Sequence, residues 1–200
     1  MFYAFGKFLC KVFFHLYLKT KVIGDKNIPP RGSFIVAGNH VSFLDPVAFG
    51  IASPRRLNYM ARDTLFRNRL FGWVLRHVSV FPLKRNSANI GAIKEALRRL
   101  GNGEGLLLFP EGTRSADGCL KDPLEGGGFL ARKRGASVIP AYVQGTDKAL
   151  PKGTKFIKPK AIRVIFGEAV VFPQDKSLLD EDVTAEIMRR IAVLRDSLRV

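Results

Sequence analysis

Two hundred residues fit one domain and leave no room for a second of full size. A hydrophobic share of 46% with 10% aromatics supports a packed core and argues against a disordered chain. Two cysteines, Cys10 and Cys119, without Cys/His ligand spacing argue against a disulfide scaffold or a structural zinc site. The 33 Lys and Arg against 17 Asp and Glu leave a net charge of +16. Such a chain seeks an anion: nucleic acid, an anionic membrane surface or a phosphorylated substrate.

Residues 1–19 are hydrophobic, but Lys7, Lys11, His15 and Lys19 interrupt them at four-residue steps. On a helix that stripe drifts only about 40° per step and stays on one side, with Phe2, Phe5, Leu9, Val12, Phe13 and Leu16 filling the rest. A central Lys costs roughly 2.5–3.5 kcal/mol in a bilayer, while each Phe, Leu or Val returns about 0.3–0.6 kcal/mol. The apolar residues thus roughly match two central lysines without clearly outweighing them, and a spanning helix is disfavoured. No small-residue cleavage site follows the run, which argues against a signal peptide. The expectation is an amphipathic helix over 1–19 lying in the membrane interface, its lysines among anionic headgroups. A helix docked on the protein's own core is the other reading of the same residues.

Beyond residue 20 the elements alternate. Apolar runs at Ser33–Ala37, Leu57–Ala61, Val78–Phe81, Leu106–Phe109, Val138–Val143 and Ile162–Phe166 predict strands. Helical patterns between them cover Pro46–Ala52, Phe66–Arg76, Ser87–Leu100 and about Leu124–Lys133. The last helix, Asp180–Leu198, repeats apolar Val183, Ile187, Ile191, Leu194 and Leu198, with acids early and arginines late, as the helix dipole favours. Leu150–Lys160, rich in Pro, Gly and Lys, reads as a surface loop. The expected fold is therefore α/β: a single domain over 20–200, a largely parallel sheet flanked by helices, preceded by the N-terminal helix.

Open α/β sheets bind ligands at the carboxyl ends of their strands, and the chemistry-bearing residues follow three of these runs. Asn39-His40 comes first, with Asp45-Pro46 five residues after the histidine. A histidine takes a proton near neutral pH, and a nearby carboxylate can hold its other ring nitrogen. On a continuous helix the two would stand about 140° apart, so the pair requires a bend, and Pro46 disfavours helical geometry at Asp45. Asp45 also reads as the N-cap of the helix that follows, and His40 as a half-buried structural histidine. The second cluster, Phe109-Pro110-Glu111-Gly112-Thr113-Arg114-Ser115, offers an acid, a flexible glycine, a hydroxyl and an arginine. That set suits a phosphorylated polyol, because Arg grips phosphate with two parallel N–H donors; a plain turn is the alternative. Lys84-Arg85 supplies a weaker basic pair.

In this order and spacing the residues resemble the glycerolipid acyltransferases, nearest in type to those acting on 1-acyl-glycerol-3-phosphate (lysophosphatidic acid). The similarity runs from about Lys21 to Gly145, with Leu124-Glu125-Gly126 standing where that family often has Phe-Lys-Lys-Gly. The resemblance implies His40 as catalytic base and Asp45 as its partner. It implies substrate contacts from Arg85, Glu111, Gly112, Thr113 and Arg114, with Glu111 at the glycerol part and Pro140 toward the acyl chain. It further implies transfer of an acyl group from acyl-CoA or acyl carrier protein to a lysophospholipid hydroxyl, with no metal or other cofactor. The expected setting is the cytoplasmic side of the cell membrane, peripherally bound to its anionic surface. Two rivals from other classes are a basic nucleic-acid-binding domain and a non-catalytic lipid-binding module. The first leaves the aromatic N-terminal run unexplained and has no recognition helix or RNP-like strand, so no nucleic-acid partner is expected.

Overall fold

A computed structural model describes residues 2–83, 90–124, 126–174 and 178–198. Seven strands form one sheet: β1 (Lys21–Ile23), β2 (Phe34–Gly38), β3 (Leu57–Arg62), β4 (Val80–Leu83), β5 (Gly105–Leu108), β6 (Ser137–Gln144) and β7 (Arg163–Phe166). Their order is β1-β7-β6-β2-β5-β3-β4. The five strands from β6 to β4 run parallel, β7 opposes β6, and β1 follows β7. The expected α/β sandwich is thus present, with an edge pair running against the rest.

Parallel neighbours need crossovers, and helices supply them: α2 (Asp45–Ala52), α3 (Arg69–His77), α4 (Ile90–Gly101) and α5 (Gly126–Lys133). The short α6 (Thr146–Ala149) follows β6, and α7 (Asp180–Asp196) closes the fold. Successive residues of β2 alternate between two buried layers. Phe34 and Val36 join Phe49 of α2 and Phe14 of the N-terminal helix α1 (Phe2–Leu16). Ile35 and Ala37 join Ala96 of α4, Leu130 of α5 and Ile187 of α7. The central strand is therefore wholly apolar, which is why it reads as a run.

Two elements escaped the sequence. Strand β1 is three exposed residues that gain strand geometry only by pairing with β7, Lys21 opposite Arg163, and α6 is a single turn. Glycines set the packing of α5, where a Cβ on Gly128 would lie 1.9 Å from the Asp180 carbonyl oxygen of α7. Its backbone N–H instead donates to Thr184 Oγ1 at 2.8 Å. The stretch 150–160 has no regular structure beyond turns, as expected.

Helix α1 docks one side on the core and leaves the rest exposed. Phe14 and Leu18 are buried in the core, while Phe5, Phe8, Leu9, Val12, Phe13 and Leu16 are exposed, Leu16 at 72%. One member of the basic stripe departs from expectation: Lys7 is half-buried and donates from Nζ to the Ser53 carbonyl at 2.6 Å. Burial, and then the Lys11 charge, lower its pKa. Lys11, His15 and Lys19 are exposed. Among the described residues no helix is long and apolar enough to cross a membrane.

Candidate active site

At the carboxyl end of β2 the chain must leave the sheet at once. A Cβ on Gly38 would meet the Phe49 ring at 2.6 Å, so only glycine lets the strand pass there. The Asn39 side chain then replaces the ladder: its amide donates to the Val143 carbonyl at 3.0 Å and accepts from Val143 N–H at 2.7 Å. With β6 held by a side chain, the backbone of residue 40 is free to turn.

His40 Nδ1 lies 2.8 Å from Asp45 Oδ2. The same oxygen accepts from the N–H groups of Val41 and Ser42, both at 2.7 Å. Asp45 is 0% exposed. Three donors converging on one buried oxygen explain a departure from the sequence reading. Leu44 is the N-cap of α2 and Asp45 its first helical residue, with no side-chain cap bond to the helix. The carboxylate turns back to the loop it closes, and those bonds hold Asp45 helical although a proline follows. Because a carboxylate accepts, Nδ1 carries the proton and Nε2 is the basic nitrogen of His40. The His40 ring stacks on Phe109, with centroids 4.0 Å apart and planes 12° from parallel. Ser42 is no candidate nucleophile, since its Oγ donates to the Leu150 carbonyl at 3.1 Å.

The second loop leaves β5, the neighbour of β2, and grips the first. Glu111 Oε1 accepts from His40 N–H at 2.9 Å, and Ser115 N–H donates to the His40 carbonyl at 2.7 Å. Both backbone groups of the histidine are thereby pinned from a segment some 70 residues on. Glu111 Oε2 accepts from Lys121 N–H at 3.1 Å, and the residue is only 2% exposed. Where the resemblance implies a contact with glycerol, both Glu111 oxygens are engaged by backbone. Burial raises its pKa, against the opposing pull of the two backbone N–H groups.

This buried acid gives a test with a definite sign. Glutamine has one acceptor where Glu111 has two, so one backbone N–H must face an amide NH2; Glu111→Gln is expected to cost roughly 1–3 kcal/mol of stability. A raised folded-state pKa means the native state holds the proton more tightly than the unfolded state. The wild-type advantage is therefore fullest below the ordinary 4.5 and narrows as pH rises through the raised value. Urea midpoints of both proteins at pH 4 and pH 7 read this directly.

Gly112 takes φ +63°, and a Cβ there would stand 2.2 Å from Leu124 Cδ1, so the turn requires glycine. Leu124 is itself tied to the loop by its N–H to the Pro110 carbonyl at 2.8 Å. Thr113 is exposed. The Arg114 guanidinium carbon stands 3.6 Å from the centroid of the Phe43 ring, which joins the two loops again, and the residue is half-buried. Among the described residues no carboxylate pairs with it.

His40, Asp45, Glu111, Gly112 and Arg114 thus come together in one place. Pro140 does not join the loops: it is buried in β6, its Cα opposite Ala37 of β2 and its carbonyl accepting from Gly167 N–H at 2.7 Å. Arg85 and Lys84 lie outside the described residues. Phe43, Phe109 and the amide of Asn39 are parts of the site that spacing did not assign. The aromatics flanking each polar cluster were the only signal for two of them. Among the described residues no group of three or more His, Cys, Asp or Glu could hold a metal ion.

Residues 19–144 match the family model described as Acyltransferase. A 1-acyl-sn-glycerol-3-phosphate acyltransferase of Bacillus subtilis is 30% identical over 168 residues, covering 83% of this chain and 81% of its own length. The chloroplastic enzyme of the same name from Brassica napus is 29% identical over 181 residues, covering 88% of this chain and 52% of its own. The crystal structure of the 1-acyl-sn-glycerophosphate (LPA) acyltransferase PlsC from Thermotoga maritima superposes with a TM-score of 0.76 at 26% identity, over 96% of this chain and 80% of that one. The histidine–aspartate pair, the loop that clamps it and these matches agree: the chain belongs to the acyltransferase family.

Proposed function

We propose that this protein moves a fatty acyl group from a thioester, acyl-CoA or acyl carrier protein, to the free hydroxyl of 1-acyl-glycerol-3-phosphate, forming phosphatidic acid. The observation that carries this reading is the His40 Nδ1–Asp45 contact of 2.8 Å, clamped by Glu111 at the strand end where Arg114 stands over Phe43. His40 Nε2 takes the proton of the hydroxyl as its oxygen attacks the thioester carbonyl carbon. The C–S bond then breaks, and the thiolate leaves with the proton returned from the imidazolium. No acyl-enzyme forms. Asp45 holds the ring and stabilises its charged form, and Arg114, with Arg85, binds the phosphate. Glu111 positions the His40 backbone. A thioester is already activated and its thiolate leaves readily, so no cofactor is assigned a step. Purified protein given lysophosphatidic acid and either donor should yield the diacyl product by mass. Lysophospholipid consumption by neither donor would overturn the reading.

Arg114→Lys keeps the charge but loses the planar fork and its stacking on Phe43. KM for the phosphorylated acceptor is expected to rise several-fold more than KM for the donor. Equal changes in both would make Arg114 structural.

A lipid acceptor brings the site to a bilayer, and we assign the exposed apolar face of α1 to the interface, peripherally, on the cytoplasmic side. The +16 charge then serves the lipid surface and the phosphate, and no nucleic-acid partner is proposed. Lys7 is engaged internally, so the test is Lys11→Glu with Lys19→Glu. At about 1 kcal/mol per basic residue near an anionic surface, the pair should weaken vesicle binding by at least about 2 kcal/mol, less in high salt. Co-sedimentation measures it, and activity on detergent-dispersed substrate should persist.

A further inference from the structure

The apolar surface of α1 has a counterpart that the proposed reaction does not use. The segment from the end of β3 through α3 leaves the sheet at the carboxyl ends of the strands, the end that carries His40. It exposes Leu65, Leu70, Phe71 and Trp73, Leu70 at 75%. Arg62, Arg67, Arg69 and Arg76 stand exposed among them, against the single acid Asp63. None of these arginines pairs with a carboxylate among the described residues. Helices on the opposite layer differ. There Glu95 of α4 binds Arg98 and Arg99 at 2.7 and 2.8 Å, and Glu186 of α7 binds Arg189 and Arg190 at 2.7 and 2.6 Å. On those faces one glutamate is shared by two arginines, so part of the charge is already offset within the helix. A right-handed β3–α3–β4 crossover, continuing the direction of β2–α2–β3, puts α3 on the same side of the sheet as α2, where α1 also packs.

We propose that α3 is a second lipid-docking element, which with α1 seats the α1–α2–α3 side of the sheet on an anionic bilayer. The inference rests on the lipid acceptor argued above. The four arginines, none paired with a carboxylate among the described residues, complement anionic headgroups, and Trp, Phe and Leu on a single helix suit an environment that moulds around them. An acidic protein, the carrier of an acyl group for instance, would need a matching rigid surface and is the alternative outcome of the test.

Trp73 is the chain's only tryptophan and reports on α3 alone. On adding phosphatidylglycerol–phosphatidylcholine vesicles to the full-length protein, its emission should shift to the blue and be quenched by lipids brominated on their acyl chains. Arg67→Glu with Arg69→Glu should lower vesicle partitioning at least about tenfold. Glutamate at the start of α3 suits the helix dipole, so folding is not at risk. Activity on detergent-dispersed lysophosphatidic acid should stay within about twofold; a wild-type protein inactive there would sink the proposed reaction rather than this surface. Unchanged, unquenched Trp73 emission with vesicles would overturn the proposal. So would unchanged partitioning of the double variant with a raised KM only for a carrier-protein thioester, which would make α3 a protein-docking face.

Discussion

Replacing His40 by alanine is expected to lower the acyl-transfer rate by about 10²–10⁴-fold, the range a positioned general base supplies. An alcohol hydroxyl is a weak nucleophile at neutral pH, and His40 offers it a basic nitrogen, Nε2, on a ring whose other nitrogen is occupied by Asp45 Oδ2. The histidine backbone is what Glu111 and Ser115 hold, so the alanine variant keeps both of those bonds. Only the ring stack on Phe109 and the Asp45 contact are lost. The circular dichroism spectrum and urea midpoint should therefore stay near wild type while the diacyl product falls. A variant that keeps more than about a tenth of the wild-type rate would mean that His40 is not the base.

Asp45→Asn should cost roughly as much activity with little loss of fold, about 10²–10⁴-fold by the precedent of aspartates that orient a catalytic histidine. One carboxylate oxygen takes all three bonds, from His40, Val41 and Ser42, and asparagine's carbonyl can keep them. Its NH2 would occupy the place of Oδ1, which is buried without a hydrogen-bond partner among the described residues. What disappears is the negative charge that stabilises the imidazolium as the proton arrives. Asp45→Ala is the contrasting case. It strands the Val41 and Ser42 N–H groups, each at about 1–3 kcal/mol, so stability falls along with rate. Steady-state rates set beside urea midpoints for the two variants separate the electrostatic role from the structural one. If Asp45→Asn keeps near-wild-type activity, the aspartate only closes the loop.

Features confined to neighbouring residues were legible without a fold. The parallel strands from β2 to β6 showed as apolar runs because such strands are covered by helices on both faces, and Asp180–Asp196 showed by its period and end charges. The same local reading found His40 with Asp45, five residues apart, and the Glu111–Arg114 cluster. It misjudged what depends on who sits beside whom. Asp45, read as His40's partner, also read as the cap of α2, yet that second use is absent: its carboxylate turns back to two backbone N–H groups and the imidazole. Lys7 read as one of four headgroup-facing cations, yet the α1–α2 packing placed it against the Ser53 carbonyl.

The sequence by itself determined the class of fold, the histidine–aspartate pair and the family resemblance, because each lives in composition, periodicity or short spacing. The sheet order decided the rest. Placing β2 between β5 and β6 set Glu111 on the His40 backbone across 71 residues and Asn39 on Val143 across 104. Only that order made Glu111 a clamp on the His40 backbone, stacked His40 on Phe109 and laid Arg114 on Phe43. Such contacts carry no local signature, since the entropy of closing so long a loop is repaid by the whole sheet and not by the residues that meet.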